Sequence, residues 1–146
     1  MLDRMPQAIY NPLWMKNWKG HGMENKGSKG LERLIKATVY SLKGLGAAWR
    51  NEAAFRQESV IVLVLLPAAF WVGTTMTQRA LLIFSILVVL MVELLNSAIE
   101  TAIDRIGPEH HELSGRSKDL GSAAVMVSLI AAGVVWGFLL WERWQI

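Results

Sequence analysis

The chain has no cysteine. It can form no disulfide and offers no thiolate chemistry, and that absence leaves its compartment open. Charge is scarce as well: acidic and basic residues are 18% of the chain, against 53% hydrophobic residues, and seven of its 146 residues are tryptophan. This is the profile of a small integral membrane protein. Residues 1–30 contain no apolar core of the length a cleavable signal peptide needs. No nucleic-acid motif accompanies the net charge of +3, which reads as attraction to anionic lipid; no nucleic-acid partner is expected. A phosphate loop is also missing. The run GMENKGSK at 22–29 approaches one, but Lys and Ser stand in the wrong order and no strand precedes them.

What is there is organised by apolar runs. Residues 60–76 form the first, with Pro67 inside it and Trp71 near its far end. The second lies within 79–104, its apolar part shortened by Glu93, and the third, 120–141, carries no charge. Each approaches the roughly 20 residues a spanning helix needs, and Pro67 is tolerable where neighbouring helices re-satisfy the freed carbonyl. Before the first run, Leu31, Leu34, Ile35, Thr38, Val39, Leu42, Leu45 and Trp49 recur at intervals of three and four. That spacing predicts an amphipathic helix lying on the membrane surface, loosened by Gly44 and Gly46. The expected fold is an all-α integral membrane protein with a polar, poorly ordered extension at 1–29 and a membrane-embedded domain at 30–146. Within that domain we expect a surface helix at about 31–50 and transmembrane helices at about 52–76, 79–106 and 118–143. Lysine and arginine crowd the stretch before the first span, Arg79 alone marks the first loop, and Arg105, Arg116 and Lys118 return in the second. The positive-inside rule then sets the N-terminus and second loop in the cytoplasm and the C-terminus outside. Trp136, Trp141 and Trp144 fit an interfacial aromatic belt at the outer end.

The chemistry is concentrated in the second span. An ionised side chain near a bilayer centre costs about 2.5–3.5 kcal/mol on insertion scales, so Glu93 marks a site or a partner. Glu93, Asn96, Glu100 and Asp104 step by three and four and fall within an arc of roughly 80° on a helix. Such a stripe must face protein or a wet cleft, where carboxylates bind cations, carry protons or act as general bases. A buried polar seam would account for one amide; three carboxylates and an amide argue for function. Glu52 and Arg56, four apart at the entrance of the first span, are either a helical surface pair or part of that site. The second loop holds Glu109, His110, His111 and Glu112, but the spacing is not HExxH and no thiol is present, which argues against zinc. Lys118 at the head of the last helix suits an anionic ligand. Carboxylates beside it imply cation plus phosphate chemistry.

Four segments, NEAAFRQE at 51–58, VELLNSAIE at 92–100, DRIG at 104–107 and HELSGRSKDLGSAAV at 111–125, resemble the small prokaryotic diacylglycerol kinases. The resemblance runs from about Gly30 to Trp141 with order and spacing kept. It implies a homotrimer of three-span subunits in the bacterial inner membrane, with active sites at subunit interfaces and the ATP γ-phosphate passing to diacylglycerol. On that resemblance Glu93 is the base and Asn96 the amide beside it, while Glu52 and Glu100 hold Mg2+ against ATP. Tyr40, Glu109, His110, His111, Lys118 and Asp119 match nucleotide-contacting positions. Arg33, Ala37, Ser41, Ala54, Glu58 and Ser122 match the lipid pocket, with Lys36 and Asp104 in support. The base lies one to two turns deeper than Glu100, where partial desolvation favours base function near neutral pH. An undecaprenol kinase is the related alternative, and a proton or cation channel subunit is the alternative from another class.

The extension at 1–22 has no counterpart in the resemblance, though Trp14 and Trp18 among basic residues would add membrane adhesion. Removing residues 1–22 should leave Vmax largely unchanged in a lipid-kinase assay; a large loss would make the extension part of the enzyme.

Overall fold

A computed structural model of the protein describes residues 30–107 and 111–145. Among them are four helices, α1 (Gly30–Asn51), α2 (Ala53–Val72), α3 (Met76–Ile106) and α4 (Glu112–Trp144), and no strand. Three of these, α2 to α4, are long and apolar enough to cross a membrane. The all-helical membrane architecture is therefore the one the apolar runs imply. The phosphate-loop-like run at 22–29, with Trp14 and Trp18, lies outside the described residues, as do Glu109 and His110.

The chain divides into two compact units, 1–42 and 43–146. In the first, the described part of α1 is exposed along its length. Its polar side is laced locally: Lys36 Nζ lies 2.6 Å from Glu32 Oε1, and Thr38 donates to Leu34 O at 3.0 Å. The hydrogen bond to Glu32, with the charge of that carboxylate, holds Lys36 above its usual range.

In the second unit, α1 and α2 are separated by one residue, Glu52, whose backbone is extended (φ −106°, ψ 113°). Arg56 bridges this break. Its Nη1 donates to the carbonyls of Trp49 at 3.1 Å and Arg50 at 3.2 Å, two of the acceptors a helix end leaves orphaned. Arg56 is thus a strut for the junction that presents Glu52.

The spacing of buried residues shows how the spans pack. On α2, Phe55, Val62 and Ala69 are buried at intervals of seven. On α3 the buried face runs Leu82, Ile86, Val89, Glu93 and Asn96, the three-and-four repeat of a helix seam. On α4 the buried positions are all small, Gly121, Ser128 and Ala132, which lets two backbones approach closely. α3 is the central element, packed against both α2 and α4.

The link from α2 to α3 is tight. Thr75 Oγ1 accepts from the Gln78 N–H at 3.2 Å, and Gln78 Oε1 accepts from the N–H groups of Thr75 and Thr74 at 3.1 and 2.8 Å. This capping box satisfies the first orphan donors of α3. It explains why α2 stops at Val72 although the apolar run continues to Met76. Gly73 is required there, since a Cβ would fall 2.9 Å from the Arg79 backbone nitrogen. Gln78 Nε2 also donates to Glu142 Oε1 at 3.1 Å, tying the start of α3 to the end of α4. Beside this tie sits an apolar cluster of Ala69, Val72 and Leu82, packed by Val135, Trp136, Leu139 and Leu140. At the opposite end α4 begins at Glu112, ahead of its apolar run, because His111 caps it: Nδ1 accepts from the Leu113 N–H at 3.2 Å.

Leu82 is fully buried in that cluster. Leu82→Ala should cost about 2–5 kcal/mol, read as a lowered melting temperature in detergent; an unchanged value would mean that this contact does not hold the spans together.

Candidate functional site

The polar end of the α2–α3–α4 bundle is positioned by the same seams. α3 has 31 residues, about 46 Å of helix against a hydrocarbon core of about 30 Å. Its last turns therefore project beyond the apolar layer. Glu93 lies seven residues before Glu100, about 10 Å of helix further toward the apolar middle of the span. Ala69 and Leu82 meet in one apolar cluster, and further along the same pair of helices Glu58 comes near Glu93.

Burial agrees with this placement. Glu93 is 4% exposed and Asn96 8%; Glu52, Glu58 and Glu100 are half-buried. The Glu93 carboxylate is within electrostatic range of Glu100, Glu52 and Glu58. Asn96 Nδ2 donates to Glu100 Oε1 at 2.9 Å. Four carboxylates from two helices and the α1–α2 junction thus share one neighbourhood, with one amide holding one of them.

The pattern of satisfied and unsatisfied atoms marks the site more sharply than burial does. Hydroxyls elsewhere on the spans return to their own helix: Ser85 donates to Leu82 O at 2.8 Å and Ser128 to Val125 O at 2.7 Å. Such bonds close a polar group's needs without a partner helix. At the polar end Thr101 and Ser117 do the same, donating to Ser97 O and Leu113 O at 2.8 and 2.9 Å, but three buried groups there are left open. Glu58 Oε2, Asn96 Oδ1 and Ser97 Oγ are buried with no hydrogen-bond partner. A buried orphan costs about 1–3 kcal/mol, so its persistence calls for an explanation such as a ligand. The other orphan among the described residues, Trp136 Nε1, lies by the apolar cluster at the far end.

Other expected site residues are carried by α4, α2 and α1. Lys118 Nζ lies 2.5 Å from Asp104 Oδ1, so the cation on α4 is held beside the stripe on α3. Asp119 and Ser122 are exposed on α4, and Ala54 is exposed at the start of α2. His111 is exposed and spends Nδ1 on the cap of α4. Arg33, Lys36, Ala37, Tyr40 and Ser41 are carried by α1 within the first unit.

Two residues escaped the reading of the stripe. Ser97 lies about 40° from Glu93 on the helix, just beyond the edge of that arc, and its burial at 8% exposed with an open hydroxyl sets it among the site residues; its nearness in helical angle was available as a signal. Gly121 faces Asn96 from α4, and no periodicity on α3 reports that.

The carboxylates fit a hard divalent cation, which takes oxygen ligands. Among the described residues, no three His, Asp or Glu side chains close a metal site by themselves. Phosphate oxygens from a nucleotide would have to complete the sphere, the arrangement usual for Mg2+.

With this geometry in view, the chain matches the family model described as prokaryotic diacylglycerol kinase over residues 39–140. It is 56% identical over 114 residues to the diacylglycerol kinase of Escherichia coli K12, covering 78% of this chain and 93% of that one. The diacylglycerol kinase of Haemophilus influenzae is 52% identical over 111 residues, 76% of this chain and 94% of the relative. That of Pseudomonas aeruginosa is 50% identical over 115 residues, 79% and 94%.

The contrast between open and closed hydroxyls is testable. Ser85→Ala should lower stability by about 1 kcal/mol, whereas Ser97→Ala, which deletes an unpaired buried group, should melt at or above the wild-type temperature. A clear loss at Ser97 would show that its hydroxyl has a structural partner.

Proposed function

This chain belongs to the prokaryotic diacylglycerol kinase family, and from that premise we propose how its membrane helices phosphorylate diacylglycerol, with Glu93 as the base. It is a lipid kinase acting on diacylglycerol. The product is phosphatidic acid and the phosphoryl donor is ATP. The single observation that carries the residue assignment is a buried carboxylate, 4% exposed, flanked by an amide that grips a second carboxylate nearer the helix end.

The reaction needs an alcohol oxygen brought in line with a phosphorus and relieved of its proton. Diacylglycerol stays in the bilayer, its hydroxyl at the interface, and ATP approaches from water. Glu93, about 10 Å deeper than Glu100, accepts the hydroxyl proton. The lipid oxygen bonds to the γ-phosphorus, the bond from that phosphorus to the β–γ bridging oxygen breaks, and ADP departs. Asn96 fixes the Glu100 carboxylate. Lys118, held by Asp104, meets nucleotide phosphate as a point charge. Glu52 and Glu100 would hold Mg2+, which when bound would supply neutralisation of charge on the phosphoryl group. Most of the catalysis is positioning and charge neutralisation, which this reaction chiefly demands. Glu58, with an open buried oxygen near Glu93, is the lipid-side carboxylate. Ala54 and Ser122 belong to the lipid side, and the family resemblance gives the same role to Arg33, Ala37 and Ser41, with Lys36 in support. Asp119 belongs to the nucleotide side, and the family resemblance gives the same role to Tyr40, Glu109, His110 and His111.

The reading extends to assembly and location. The family resemblance implies a homotrimer, and the apolar window of α4, 6% buried within one chain, leaves surface for lipid or for partner subunits to cover. The inner membrane, with the N-terminus and the carboxylate end in the cytoplasm, supplies ATP where the site needs it. The names of the relatives favour diacylglycerol over undecaprenol, and a kinase over a channel.

Glu93→Gln keeps size and removes the proton acceptor. It should lower kcat by about 10²–10⁴-fold in a micelle assay with labelled ATP while leaving the helical content and the assembly state unchanged. Near-normal turnover would remove Glu93 from the base role.

A further inference from the structure

We infer that Gly121 is a positioning residue for this reaction: the bare backbone of α4 at that point holds the Asn96 amide in the orientation that donates to Glu100. Gly121 is buried. A Cβ added to it would collide with Asn96 Oδ1 and lie 3.3 Å from Asn96 Cγ. The amide is therefore wedged, its oxygen against α4 and its nitrogen 2.9 Å from Glu100 Oε1. Because Oδ1 has no hydrogen-bond partner, its place is set by packing against this glycine and by nothing else that donates to it. Other glycines of α4 have no such neighbour: around Gly115, Gly133 and Gly137 an added Cβ meets nothing within 4 Å.

The consequence follows from which atom would yield. The nearest obstacle is the tip of a rotatable side chain rather than backbone, so a methyl group at 121 turns the Asn96 amide and leaves the helices in place. Turning that amide withdraws its N–H group from Glu100. The carboxylate then loses the bond that orients it, and misplacement of a positioned group by about 1 Å can cost on the order of a hundredfold in rate. Gly121 acts through Asn96 and touches no reacting atom.

This inference rests on the reading of Asn96 and Glu100 as site residues, and two measurements on the full chain in diacylglycerol-containing micelles separate the parts. In steady-state kinetics, Gly121→Ala should lower kcat at least about tenfold and leave KM for diacylglycerol within about twofold, while Gly133→Ala keeps the wild-type kcat. In thermal unfolding, Gly121→Ala should lower the melting temperature of the wild-type protein. In an Asn96→Ala background no remaining atom of residue 96 lies nearer than 3.8 Å to the added methyl, and the same change should raise it, as removal of a helix-interior glycine does. Equal thermal shifts in both backgrounds would overturn the wedge, and an unchanged kcat for Gly121→Ala would overturn the positioning role. Full turnover by Asn96→Ala alone would overturn the site reading and this inference with it; the thermal comparison, which needs no activity, tells the two failures apart.

Discussion

One constraint shapes this molecule: a helix that crosses lipid cannot show lipid a row of carboxylates. α3 carries such a row on the same seam as Leu82, Ile86 and Val89. Two neighbours must therefore cover the whole seam, its polar part included. α2 does so with residues spaced by seven, and α4 does so with small residues that permit close approach. The packing that hides the polar row also concentrates it, because side chains excluded from lipid on one face have only one another and an incoming ligand to meet.

The two ends of the bundle divide the tasks. Where α2 turns into α3, polar groups bond one another: Thr74, Thr75, Gln78 and Glu142 form one network, Arg79 donates to the Gly73 carbonyl at 2.9 Å, and an apolar cluster sits alongside. That end is closed and structural. At the other end the helix boundary at Glu52 is a single extended residue, and buried oxygens of Glu58, Asn96 and Ser97 have no partner. Unmet polar capacity there is the physical counterpart of a site that gains its partners from substrate.

Much of this was legible in the residues. The apolar runs set the three spans, and the three-and-four spacing of Glu93, Asn96, Glu100 and Asp104 set the polar row, because a helix converts spacing into a face. Helix ends were less so. Met76 sits in an apolar run yet starts a helix, since the Thr75–Gln78 capping box outweighs hydropathy there. Likewise α4 reaches back to Glu112, as polar residues beyond the bilayer lose nothing by being helical. Ser97 was readable from its angle but hidden by chemistry, a lone serine being an ordinary helix residue. The approach of Gly121 to Asn96 was not readable at all, because it depends on the register between two helices 25 positions apart in sequence.

The central claim is that the carboxylates of the α1–α2 junction and of α3 gather around one cation with the nucleotide, beside the lipid alcohol. Paramagnetic Mn2+ with ATP reports this directly in selectively labelled protein in detergent micelles. Amide signals at Glu52 and at Glu100 should broaden together, while those of Thr75 and Trp136 at the opposite end stay sharp. Broadening at only one of the two glutamates, or at neither, would contradict the account.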